Sequence, residues 1–162
     1  MSYQKLEQHQ QQLHRLSHLS AICGWDQAAM MPEGGNEARA EAMAELGVLI
    51  HGKRTAPELG DWIAKAESEP LDATQRANLA EIKRHWQDAS LLPGELVEAL
   101  SLAGSKCEHA WRRQRKENDW AGFAPNLEEV VRLSREVATL RAEALGVRPY
   151  DAMLALYEPG MT

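Results

Sequence analysis

Apolar residues recur along this chain at spacings of three and four, the signature of helices with one buried face. From about Ser2 to Cys23 the stripe is Leu6, Leu13, Leu16 and Leu19, extended by Ile22 and Cys23, and Gly24 breaks it. A connector is expected over about residues 24–35, punctuated by Pro32 and the pair Gly34-Gly35. Asn36 is placed to cap a second helix, from Glu37 to about Gly52, with Ala38, Ala42, Leu46, Leu49 and Ile50 as its apolar stripe. Glu37 sits in its first turn, where a carboxylate favours the helix dipole. A shorter helix starts near Pro57 and carries Leu59, Trp62, Ile63 and Ala66. After a turn around Pro70, Asp72 and Gln75 have the spacing of a capping box, ahead of Leu79, Ile82 and Trp86.

Pro93 opens a long helix with a sustained seam, Leu96, Leu100, Ala103, Cys107, Ala110 and Trp111. A second connector is expected over residues 120–125, with Asn126 capping the next helix and Glu129 supporting it three residues on. That helix shows Leu127, Val130, Val131, Val137, Ala138 and Ala144, and Gly146 is its natural C-cap. A last short helix, Tyr150 to Tyr157, ends at Pro159-Gly160. No convincing strand and no internal repeat emerge. The expectation is an all-α chain, an antiparallel bundle of about six or seven helices over residues 1–162, read as one domain or as part of a larger one.

Composition agrees with this. Ala, Leu, Glu and Arg are plentiful, there is one Phe against five Trp, and β-branched residues are few. The net charge is −6. The densest basic run, Arg112, Arg113, Arg115 and Lys116, is flanked by Glu108, Glu117 and Asp119, so it reads as a solvated helix face and not as a nucleic-acid surface. The polar N-terminus has no apolar core of a signal peptide, and no run approaches the length of a membrane span. A cytoplasmic protein with no membrane partner is expected. The five tryptophans are read as core, with Trp25 and Trp120 plugging gaps between helices at the connectors.

Candidate chemistry is sparse. His14 and His18 share one helix face, a spacing that zinc helices use, but Arg15 follows His14 where a metalloprotease has its general-base Glu. The pair reads as polar and solvent-facing, with an adventitious metal site as the alternative. His51, His85 and His109 are isolated in sequence, and Cys107 reads as a small core residue. A disulfide between Cys23 and Cys107 is possible but not indicated. No phosphate-cradling glycine loop and no Gly-x-Ser-x-Gly elbow is present.

Three segments resemble one known family. The first is Trp25-Asp26-Gln27 with Met31-Pro32, Gly34-Gly35 and Arg39. The second runs from Trp111 through Trp120, Phe123 and Pro125 to Leu127. The third is Tyr150-Asp151-Ala152-Met153-Leu154 with Tyr157-Glu158-Pro159-Gly160. In family order they resemble the N-terminal part of a Taq-type zinc carboxypeptidase. The resemblance implies a nearly all-helical, often dimeric, metal-dependent exopeptidase that removes single C-terminal residues from peptides. It also implies zinc held by a His-Glu-x-x-His helix, whose Glu activates the zinc-bound water. No His-Glu dipeptide occurs in this sequence. No catalytic or metal residue is therefore carried over, no cofactor is assigned to this chain itself, and the matched residues are expected to be structural. By the same resemblance the helices would form a wall or lid over a substrate groove. The alternative is a helical module that pairs with itself or with a homologue.

Overall fold

The computed structural model describes residues 1–159 and 161, without the side chain of Glu33. Gly160, named in the third segment above, lies outside the described residues. Among the described residues seven α-helices follow in order: α1 (Ser2–Ala29), α2 (Asn36–Arg54), α3 (Glu58–Ala66), α4 (Ala73–Ser90), α5 (Gly94–Glu117), α6 (Trp120–Leu145) and α7 (Pro149–Leu154). A single 3-10 turn, Glu33–Gly35, precedes α2, and no strand occurs among the described residues.

Two apolar clusters form the interior. Tyr3 and Leu6 of α1 pack with Leu59, Ile63 and Ala66 of α3 and Leu79 of α4, and half-buried Trp62 and Trp86 close over them. Leu96 of α5 packs with Leu133 and Val137 of α6, joined by Met153 of α7. Between these ends, α2 makes its most extensive packing with α5. The buried positions of α2 are Ala40, Ala44 and Ile50, and alanines allow a close approach of helix axes.

The helix ends show local causes. The Glu69 carboxylate accepts from the Ser2 and Tyr3 N–H groups, so an acid from the α3–α4 turn closes the otherwise uncapped start of α1. The Asp72–Gln75 capping box forms as expected, with bonds of 2.8 and 3.0 Å. Gly146 closes α6 in the left-handed conformation at φ 68°.

Four expectations need correction. First, α1 does not stop at Gly24 but runs on through Trp25 to Ala29, so the connector shrinks to Met30–Pro32 and the 3-10 turn. One glycine costs a helix only about 1 kcal/mol, less than the tertiary bonds that hold this last turn; the firm stop is Pro32, which disfavours helical backbone at Met31. Second, residues 120–125 are the opening turns of α6. The N-cap is Asp119, whose side chain accepts from Gly122 N at 2.9 Å, and Asn126 lies inside the helix. Pro125, also inside, is the sixth helical residue and forgoes the bond that an N–H there would make to Ala121 O. Third, Ala38, Ala42 and Leu49 of α2 are exposed while Ala40 and Ala44 are buried. Alanines at 38, 40, 42 and 44 mark no unique face, and the neighbouring helix decides which pair is covered. Similarly, on α6, Val131 and Ala144 face solvent and Leu133 is buried. Fourth, Trp25 and Trp120 do not plug gaps, being 63% and 66% exposed, and Trp111, expected on the buried seam of α5, is exposed as well. Trp25 follows Leu19 and Ile22 at intervals of three, an exposed α1 face separate from the Leu6 and Leu13 stripe.

Candidate functional site

The first sequence segment becomes the corner where α1 turns into α2. Asp26 in the last turns of α1 pairs with Arg39 of α2 at 2.7 Å, and the same guanidinium donates to Cys23 O at 2.9 Å. The Gln27 amide donates to Ser105 Oγ of α5 at 2.9 Å and to Asn36 Oδ1 at 3.3 Å. Met31 folds back over Gly35, where a Cβ would come within 3.0 Å of its side chain; Gly34 has open space. This corner is therefore specific at Gly35.

The second segment reaches the same corner. Arg112 of α5, one residue after Trp111, donates to Gln27 O at 2.8 Å and Ala28 O at 3.2 Å, and pairs with Glu108 at 2.6 Å. These are the orphan carbonyls at the end of α1, and a guanidinium there is favoured by both hydrogen bonding and the helix dipole. Two segments about 85 residues apart thus meet in one polar network of α1, α2 and α5. The rest of the second segment turns α5 into α6. A side chain at Gly122 would run into the Asp119 carboxylate and the Gln114 amide, so the cap requires glycine there. Gln114 is buried and its Oε1 has no hydrogen-bond partner among the described residues. Trp120 and Phe123 stack at 5.8 Å between ring centroids, tilted by 58°.

The third segment is not brought to this corner; it packs on α6. Asp151 is buried and accepts from Arg148 at 2.7 and 3.2 Å, whereas Tyr150, Tyr157, Glu158 and Pro159 are exposed. Its backbone is tied inward by Arg141, which is 2% exposed, donates to Ala152 O at 3.2 Å and pairs with Asp88 of α4 at 3.0 Å. This buried guanidinium was missed, although Leu133, Val137 and Arg141 stand at intervals of four on one face of α6, and a charge on an apolar stripe is the available signal. His9, also passed over, bonds to Lys53 O at 2.8 Å and meets Trp62 edge-on.

The remaining candidates are dispersed. His14 and His18 are exposed on α1, and His51 is half-buried on α2. His109 lines a cleft of about 370 Å³ with Met31, Arg112, Arg113 and Lys116. Cys23 and Cys107 are both free thiols. Burial pushes the Cys107 thiol above its usual range, which disfavours the nucleophilic thiolate. Among the described residues no three His, Cys, Asp or Glu side chains converge on a point that could hold a metal ion.

The sequence profile of the family described as Carboxypeptidase Taq (M32) metallopeptidase matches residues 5–162. The chain belongs to this family. Thermostable carboxypeptidase 1 of Thermus thermophilus is 36% identical over 175 residues, covering 99% of this chain and 34% of that protein. Carboxypeptidase 1 of Bacillus subtilis is 30% identical over 157 residues, covering 93% of this chain and 30% of that protein. Among solved structures, Trypanosoma cruzi metallocarboxypeptidase 1 superposes with a TM-score of 0.80 at 42% identity, over 99% of this chain and 32% of that one. The chain spans about a third of the length of the curated relatives it matches. Its all-helical fold is thus the fold of part of a metallocarboxypeptidase. Among the described residues no helix is long and apolar enough to cross a membrane.

Proposed function

We propose that this chain is the N-terminal helical portion of a Taq-type carboxypeptidase, a wall or lid beside the groove in which the whole enzyme would bind a peptide and remove its C-terminal residue. The observation that carries the reading is the α1–α2–α5 corner. The Trp25-Asp26-Gln27 and Trp111-Arg112 segments meet there in a network of side-chain and backbone hydrogen bonds that fixes helix ends, and among the described residues no group of three metal-ligating side chains forms. On this reading the family-motif residues are structural, residues 1–162 act as one unit, and the zinc or other divalent ion of the whole enzyme is bound elsewhere. A cytoplasmic location accompanies the proposal. Metal content tests it. After dialysis against micromolar Zn²⁺ and a rinse in metal-free buffer, the chain should retain well under one ion per molecule. Stoichiometric zinc that disappears in His14→Ala would move the assignment to a metal-binding bundle.

A second reading, a self-associating helical module, draws on the exposed Leu19–Ile22–Trp25 face and on exposed Trp120. Apolar surface left open favours pairing, including the homodimer that the family resemblance suggests. Light scattering separates the two: a concentration-dependent dimer lost on Trp25→Glu supports the module, and a monomer at high concentration removes it.

A further inference from the structure

The helices enclose a second cleft, of about 480 Å³, away from the α1–α2–α5 corner. It is lined by Arg141, the buried guanidinium of α6, together with exposed Arg54 at the end of α2 and Arg84 of α4. His14 and His85 stand at the exposed rim. Asp88 is the one acidic lining residue among the described residues, and that carboxylate is shared, 3.0 Å from Arg141 and 3.5 Å from Arg84. Arg84 also meets Glu81 at 2.7 Å on its outer side, and Glu81 lies 3.8 Å from His85. Arg54 makes no ion pair among the described residues. Three guanidiniums thus line the cleft against one carboxylate, Asp88, while Glu81 meets Arg84 from outside it, in a chain whose net charge is −6.

A structural ion pair needs one arginine for each carboxylate. Arg54 is exposed and Arg84 half-buried, and cationic side chains grouped along a recess make a positive potential that draws an anion into it. Guanidinium groups present planar forks that match the oxygens of carboxylate and phosphate. We propose that this cleft binds a small oxyanion, a phosphate or a carboxylate, between Arg54, Arg84 and Arg141. The site is independent of the peptidase reading, and its test involves no turnover.

Isothermal titration of the 162-residue chain with inorganic phosphate and, separately, with succinate is carried out at constant ionic strength, with sodium chloride as the blank. Saturable one-to-one binding of at least one of the two is expected, and the arm that binds identifies which oxyanion the cleft takes. Arg54→Gln should weaken it about tenfold, the loss of one charge-assisted hydrogen bond, with an unchanged circular dichroism spectrum because Arg54 holds no ion pair. Arg84→Gln should weaken it similarly, and Arg113→Gln, in the other basic cleft, should leave it unaltered. Absence of saturable binding in both arms overturns the proposal, and so does equal affinity in wild type and Arg54→Gln.

Discussion

The two ends of α1 are held in different ways. Its N-terminal half enters an apolar cluster, where Leu6 meets Leu59 and Ile63 and the tryptophans Trp62 and Trp86 pack around them. Its C-terminal end is held by polar groups: Arg39 on Asp26 and Cys23 O, Ser105 on Gln27, and Arg112 on two terminal carbonyls. The apolar end derives its stability from buried area and so depends on the whole fold. The polar end fixes the direction of a few carbonyls and so acts locally. Most of the first segment that resembles the carboxypeptidase family lies at the polar end.

That contrast can be broken at its apolar side first. Leu59→Ala empties a fully buried position and should destabilise the chain by about 2–5 kcal/mol in urea unfolding. Amide exchange should rise across all helices together. A loss under about 1 kcal/mol would mean that the apolar cluster is not the main source of stability.

Gly122→Ala comes next. The added methyl meets the Asp119 cap and the Gln114 amide, and overpacking of this kind costs about 1–3 kcal/mol. Unchanged stability would show that the α5–α6 turn has slack that the geometry denies.

Arg112→Ala should cost less, about 1–2 kcal/mol for the bonds to Gln27 O and Ala28 O. Its distinguishing mark is spatial: hydrogen exchange should accelerate over residues 24–35 and stay unchanged in α3 and α4. Uniform acceleration would dissolve the distinction between the two ends.

The smallest effect belongs to the exposed face of α6. The hydrogen bond from Arg132 holds the Glu129 carboxyl below the usual carboxylate range. A lowered folded-state pKa contributes stability above the unfolded value, and that contribution disappears as pH falls through the folded one. Glu129→Gln should therefore lower the melting temperature slightly at neutral pH and not at all in acid. An exposed pair of this kind is screened by salt, so the difference should vanish in high salt; a difference that grows in acid would contradict the sign.

Much of the fold was legible in the sequence for the same reason that the apolar end is stable. The Leu59–Ile63 stripe, the Asp72–Gln75 box and the Gly146 cap are local patterns, and each appears as expected. What escaped were choices made by distant groups. The alanines of α2 left its buried face open until α5 was in place. The last turn of α1 persists past Gly24 where Arg39 and Arg112 hold its carbonyls, a bond between residues about 85 positions apart that periodicity does not register. Trp25 and Trp120 looked like core because of their residue type, but they stand exposed on a chain that spans about a third of its relatives' length. The resemblance segments identified the family, but their meeting at the α1–α2–α5 corner needed the structure.

The central claim is that this chain supplies helical scaffold and not the peptidase centre. It is tested most directly by incubating the purified 162-residue chain with a blocked peptide, with Zn²⁺ or Co²⁺ added, and quantifying free amino acid released from the C-terminal end. The account predicts release no faster than the metal-only control. Sustained metal-dependent release of single C-terminal residues, removed by a chelator and restored by the metal, would contradict it.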